Sequence, residues 1–150
     1  MKIREITKAW LPVVLWMTIM FVGSTDLMSA EHTSRFLTPF LCWLNPTISP
    51  ESIAQAHLIV RKAAHVTEYA ILAGLLFRAL RGPFGGFWPH AAFVFFPALL
   101  FAATDEWHQS FAQTRTASLG DVCIDGLGAI VGILVCRLGQ LAWQRRSPPR

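Results

Sequence analysis

Residues 61–80 read Arg-Lys-Ala-Ala-His-Val-Thr-Glu-Tyr-Ala-Ile-Leu-Ala-Gly-Leu-Leu-Phe-Arg-Ala-Leu. From Ala63 to Leu80 this apolar run is long enough to cross the roughly 30 Å of bilayer hydrocarbon as a helix rising about 1.5 Å per residue. Its first half nevertheless carries Arg61, His65, Glu68 and Tyr69 at i, i+4, i+7 and i+8, which is one helical face. A charged side chain in mid-membrane costs about 2.5–3.5 kcal/mol on insertion scales, and less toward the interface. Such a stripe has to look into a bundle, where partners or water can meet it.

Three further apolar segments accompany this one: Ile6 to Val22, Phe87 to Trp107 and Val122 to Trp143. The chain of 150 residues is 53% apolar and 15% charged, and a water-soluble core of that length would leave large apolar patches exposed. The expected architecture is therefore all-α: a single domain over residues 1–150, a polytopic four-transmembrane-helix bundle with spans at about 6–24, 63–80, 87–107 and 122–143. The first span reaches full length by running through Gly23 and Ser24 or by local thinning of the bilayer. It follows Lys2, Arg4 and Lys8 and precedes Met28-Ser29-Ala30, as a signal peptide would. The later segments already demand membrane insertion, which makes a retained helix the simpler reading. Between the first two spans, Phe36 to Leu44 is apolar, interrupted by Pro39 and too short to cross, so it reads as an interfacial or re-entrant helix. Ser49 or Pro50 then begins a helix that runs on into the second span.

The distribution of Lys and Arg sets the orientation. Lys2, Arg4, Lys8, Arg78, Arg81, Arg137, Arg145, Arg146 and Arg150 flank one side of the spans, and Arg35, Arg61, Lys62 and Arg115 the other. Nine against four puts both termini in the cytoplasm of a bacterial inner membrane. The same placement argues against nucleic acid, since the basic residues sit at span ends and are not interleaved with aromatics along one face.

Alternation of the spans brings the start of the second, the end of the third and the start of the fourth to the outer side. The third ends Asp105-Glu106-Trp107-His108-Gln109, where Asp105, His108 and Gln109 share a face. The fourth begins at Asp121 and stacks Asp125, Gly128 and Gly132 along one face. Five carboxylates (Glu68, Asp105, Glu106, Asp121, Asp125) meet three cations (Arg61, Lys62, Arg115). The excess can be offset by protonated His65 and His108, by shared protons, by a divalent metal or by a cationic head group. His65-x-x-Glu68 and Asp105-x-x-His108 have ligand-pair spacing, although such pairs are common by chance. The candidate catalytic residues are His65, Glu68, Asp105 and His108; the candidate substrate-binding residues are Arg61, Tyr69, Gln109, Arg115, Asp121 and Asp125.

Structural readings stand beside these. Arg61 with Asp121 or Asp125 can be an ion pair that fixes helix register, and His65 and Tyr69 can be interhelical hydrogen-bonding groups. Gly128-x-x-x-Gly132 lies inside an apolar span and reads as close helix packing. Cys42, Cys123 and Cys136 form no CxxC pair and read as buried small hydrophobes, with a Cys42–Cys123 disulfide as the minor alternative. His32, His57 and His90 read as solvated or interfacial, and Trp10, Trp88 and Trp143 as interfacial anchors.

Taken together, Arg61-Lys62-x-x-His65-x-x-Glu68-Tyr69, Asp105-Glu106-x-His108-Gln109, Arg115, Asp121, Asp125 and Gly128 resemble the VanZ-like family of membrane proteins. The resemblance runs from Phe21–Thr25 to the fourth span. There Gly23-Ser24-Thr25 keeps the hydroxyls but replaces the doubled serine usual in the family. The family takes its name from an accessory member of glycopeptide-resistance clusters, which implies a connection with teicoplanin resistance, although most members occur outside such clusters.

Three functions fit an outward-facing polar site reached from the lipid. The first binds a head group of a membrane lipid or lipid-linked envelope precursor and, in its catalytic form, hydrolyses or transfers it. In that form His65 or His108 serves as acid or base, Glu68 and Asp105 orient it or hold a metal, and Arg61 and Arg115 clamp phosphate. The second is a non-catalytic module that protects the envelope or binds a partner. The third, proton or solute transport, suits Glu68 and Asp125 but lacks inverted repeats and broken helices.

Overall fold

The computed structural model describes residues 3–23, 30–82, 84–109 and 118–146, with the side chains of residues 30–34 and 109 left aside. These residues form five helices: α1 (Ile3–Gly23), α2 (Ala30–Leu44), α3 (Pro50–Ala79), α4 (Phe87–Gln109) and α5 (Leu119–Arg146). No strand occurs among the described residues. Ser49 caps α3 in extended conformation, its hydroxyl accepting from the Ser52 backbone N–H, and Pro50 follows in the first turn, where a missing N–H costs nothing. The helix therefore starts where the Ser49-Pro50 pair predicts and continues through the polar stripe for 30 residues. The expected interruption at Pro39 does not occur. α2 is continuous through it, since proline removes one hydrogen bond and commonly bends a helix without ending it.

α3 is the hub. It lies parallel to α5, pairing Arg61 with Asp121, His65 with Asp125 and Gly74 with Cys136 along the two axes. The closeness of this pairing is set by glycine. A β-carbon on Gly128 would stand 2.5 Å from the Val66 carbonyl oxygen, and one on Gly132 would run into the Ala70 carbonyl, 2.9 Å from its carbon. The Gly128-x-x-x-Gly132 spacing is thus a packing device, as its place in an apolar span predicts. α4 runs antiparallel to α5 and lays Ala91, Val94, Ala98 and Ala102 into the core at three- and four-residue intervals. α1 is antiparallel to α3: the Trp16 indole N–H donates to the Glu68 carbonyl, and the Arg78 guanidinium reaches the carbonyls of Lys8 and Ala9. α2 rests on the first half of α3, where Thr38 and His57 share a hydrogen bond of 2.9 Å.

The outer surface is apolar. Leu11, Phe93, Phe96, Leu100, Leu127, Val135 and Leu138 are all exposed, the reverse of a water-soluble bundle and the arrangement a hydrocarbon solvent favours. Three helices, Ile3–Gly23, Phe87–His108 and Leu119–Arg146, are long and apolar enough to cross a membrane among the described residues. The second expected span falls within α3, whose His65, Glu68 and Arg78 lower its mean hydropathy, and it is not one of the three. At about 1.5 Å per residue α3 is about 45 Å long.

The cysteines depart from expectation. Cys42 and Cys123 are exposed, Cys136 is half-buried, and all three are free. Both exposed thiols stand on helix faces that no other helix covers, so apolar character alone did not indicate burial inside the bundle. His57 and His90 are half-buried: His57 shares a hydrogen bond with Thr38, and His90 lies beside the rings of Phe77 and Phe84 at 4.1 and 4.7 Å. Trp88 and Trp143 are exposed near helix ends, whereas Trp10 packs against the core. His32, and the Ser24–Thr25 hydroxyls, lie outside what is described.

Candidate functional site

The parallel contact of α3 with α5 places two polar pairs on successive turns. Arg61 Nη2 meets Asp121 Oδ2 at 3.3 Å, and one turn further in His65 Nδ1 meets Asp125 Oδ1 at 3.0 Å. The outer pair is open, the Arg61 side chain being 43% exposed; the inner pair is enclosed, with Asp125 only 1% exposed. Of the two partners open to Arg61 on sequence grounds, the structure selects Asp121.

Asp125 accepts through one oxygen while its other, Oδ2, is buried with no hydrogen-bond partner among the described residues. The same holds for Tyr69 Oη on α3, and for Glu106 Oε1 and His108 Nδ1 on α4. Buried polar groups are nearly always satisfied, and four of the five such atoms among the described residues belong to this end of the bundle, the fifth being His90 Nε2 at the other. Like charges reinforce the point. Asp125 interacts electrostatically with Asp105 and Asp121, and Glu106 with Asp121 and Asp125.

The geometry of the pair also has a chemical consequence. If the Nδ1–H of His65 is donated to the Asp125 carboxylate, Nε2 is the ring nitrogen left to act as a base. Glu68 is half-exposed on the same helix and acts electrostatically on both His65 and Tyr69. Tyr69 is 1% exposed and packs beside Phe101. Asp105 is buried at the end of α4, and His108 packs at a tilt against Phe21 of α1 with ring centroids 4.4 Å apart.

The structure joins Arg61 to Asp121 and His65 to Asp125, sets Glu68, Tyr69 and Asp105 within electrostatic reach of that inner pair, and places His108 against Phe21 of α1; the side chain of Gln109 and the whole of Arg115 lie outside the described residues. Sequence reasoning counted Glu106 as a charge without giving it a place in the site. In the structure it is buried, and its Oε2 accepts from the Ser118 backbone N–H at 3.0 Å, tying α4 to the start of α5. The signal was present in the spacing, because Asp105 and Glu106 stand three and four residues beyond Ala102 and both continue the small-residue stripe of α4. The contributions of α1, Trp16 and Phe21, were also unforeseen. For the divalent metal, the described residues bring no three of His, Cys, Asp and Glu together in a metal-holding group.

The site residues and glycines that carry the resemblance lie within one matched region: the VanZ/LLP1 family model covers residues 9–140. The chain belongs to the VanZ/LLP1 family. Comparison with curated proteins and with solved structures gives no match. Family membership and three apolar helices together describe a VanZ-like membrane protein.

Proposed function

We propose that this VanZ-like protein uses the polar end of its bundle to bind the head group of a membrane lipid or lipid-linked envelope precursor. The observation that carries this reading is the set of buried, unpartnered polar atoms on Tyr69, Glu106, His108 and Asp125 around the His65–Asp125 pair. Carboxylate oxygens can only accept, so Glu106 and Asp125 ask for a ligand with hydroxyl or ammonium donors. Arg61, open to solvent at the rim, and Arg115 are the groups for its phosphate. In the catalytic form of the proposal, His65 held by Asp125 takes a proton from an attacking water or alcohol. Glu68 and Asp105 shape the field around it, and His108 supplies the leaving-group proton.

The reading includes a topology. α3 crosses together with α1, α4 and α5, α2 lies at the interface, and both termini are in the cytoplasm of a bacterial inner membrane. The site then faces outward, in line with the nine-to-four bias of Lys and Arg. A connection with teicoplanin resistance belongs to this proposal as one setting in which outward head-group recognition matters.

Purified protein incubated with phospholipids and polyprenyl-phosphate-linked saccharides tests both levels. Binding that falls in Glu106→Gln and Arg61→Gln supports the head-group site, and turnover lost in His65→Ala and Glu68→Gln supports catalysis. Turnover equal in wild type and both variants removes the catalytic form. Binding unaffected by any of the four removes the site.

A second reading has its own observation. The Arg61–Asp121 and His65–Asp125 pairs directly precede the glycine contact along both helices and on this reading serve only to hold α3 and α5 in register, leaving a non-catalytic, partner-binding module. A phenotype that survives loss of His65 and Asp105 but fails on changes to the outer helix surface selects it.

A further inference from the structure

Toward the end of the bundle opposite the polar cluster, α4 and α5 border an open groove of about 280 Å³, lined by side chains that include Phe87, Trp88, Ala92, Phe96, Ile133 and Leu134. Its walls are apolar throughout. On α5, Ile130, Ile133, Leu134 and Arg137 follow one another at i, i+3, i+4 and i+7, so the helical face that lines the groove ends, one turn later, in an arginine. The guanidinium of Arg137 lies 4.8 Å above the ring of Phe87, itself a wall of the groove. It is therefore held at the groove mouth, and no described carboxylate forms an ion pair with it.

The surroundings share its charge. Arg4, Lys8, Arg78, Arg81, Arg145 and Arg146 belong to the same end, where the acid is Glu5, and Glu5 is engaged by Lys8 at 3.4 Å. Trp88, 77% exposed at the groove mouth, has the position of an interfacial anchor. An apolar groove that ends in a cation, on an exposed apolar surface, matches one kind of occupant: a hydrocarbon chain joined to an anionic phosphate.

We propose that the α4–α5 groove holds an acyl chain of an anionic phospholipid, with Arg137 binding the lipid phosphate. The site is separate from the polar cluster, stands at the other end of the bundle, and does not depend on the function assigned there. Arginine suits phosphate through its planar, forked donors, and Phe87 under the guanidinium limits the freedom it loses on binding.

The test is native mass spectrometry of full-length protein titrated with phosphatidylglycerol or phosphatidylcholine of the same chain length, alongside circular dichroism to check folding. Wild type is expected to take up phosphatidylglycerol about tenfold more tightly than phosphatidylcholine, the size of one charge-assisted hydrogen bond. Arg137→Gln should abolish that preference while leaving phosphatidylcholine uptake unchanged. Ala92→Phe, which fills the groove, should weaken both lipids. Equal uptake of the two lipids by wild type, or a preference that persists in folded Arg137→Gln, overturns the headgroup assignment. Uptake unchanged in folded Ala92→Phe overturns the groove. Head-group binding at the polar cluster responds to Glu106→Gln and not to these variants, so failure here is distinguishable from failure there.

Discussion

Gly132 on α5 faces the carbonyl of Ala70 on α3 with no room for a β-carbon between them. Membrane helices associate through packing and short-range polar contacts, without a hydrophobic drive, so such an approach decides how tightly α3 and α5 can join. Gly132→Ala must push the backbones apart and should cost about 1–3 kcal/mol, the range for overpacking. Gly139→Ala supplies the control: a β-carbon there meets nothing within 4 Å, and the change should be neutral or slightly stabilising. Thermal unfolding in detergent separates the two. Equal behaviour would mean that glycine does not set the α3–α5 distance.

Where the helices are held this closely, the His65–Asp125 pair is enclosed, and removing one member strands the other in the bundle. His65→Leu and Asp125→Leu should each destabilise the protein. The double variant should lose less than the two together, with a coupling of about 1–2 kcal/mol, near the upper end for membrane interiors. Additive losses in the cycle would show that the pair contributes no mutual stability and that its geometry is incidental.

The outer pair should behave otherwise. Arg61 is nearly half-exposed, and exposed ion pairs gain little over water. Asp121→Asn and Arg61→Gln should each change stability by less than about 1 kcal/mol, whereas Arg61→Gln should weaken head-group binding markedly. If Arg61→Gln unfolds the protein as readily as Asp125→Leu, the rim arginine is structural and cannot be the phosphate group of the site.

Glu106 combines two tasks that one substitution can separate. Its Oε2 accepts from the Ser118 N–H, while Oε1 is left for a ligand. Glu106→Gln can keep an acceptor toward Ser118, so its stability should stay within about 0.5 kcal/mol of wild type. Glu106→Ala removes the acceptor of a part-buried hydrogen bond from Ser118, at a cost of about 0.5–1.5 kcal/mol. Both should lose binding of ligands rich in hydroxyl or ammonium donors. Retained binding in a folded Glu106→Gln protein would place the ligand elsewhere.

Much of this arrangement could be read from spacing. The start of α3 followed from Ser49-Pro50, its polar face from Arg61, His65 and Tyr69, and the close approach of α5 from Gly128 and Gly132. What the sequence left open were choices between neighbours of similar chemistry. Asp121 and Asp125 are one turn apart and equally suited to Arg61, and only the parallel register of α3 and α5 assigns one to arginine and the other to histidine. Glu106 was passed over because faces were counted from Asp105, whereas α4 packs against two helices and buries a wider arc. The contacts of His90 with Phe77 of α3 and with Phe84, between α3 and α4, form a meeting that no local pattern encodes. Exposed Cys42 and Cys123 show the remaining difficulty: where much of the outer surface is apolar, an apolar side chain need not be covered.

The outward orientation is a prediction in its own right, because it decides which molecules can reach the site. In a protein whose three cysteines are replaced by alanine, Thr47→Cys probes the exposed turn between α2 and α3, and Arg145→Cys probes the end of α5. A membrane-impermeant maleimide applied to intact cells, with the outer envelope made permeable, should label position 47 and spare position 145. Position 145 should react only once the inner membrane is opened. Thr47 precedes the start of α3 and Arg145 stands in the last turn of α5, so the two positions lie at opposite ends of the parallel α3–α5 pair. The reverse pattern would turn the His65–Asp125 site toward the cytoplasm, where lipid-linked precursors on the outer leaflet are out of reach. The Lys and Arg bias would then have been a poor guide, and a cytoplasmic ligand would have to be sought for the same unpartnered atoms.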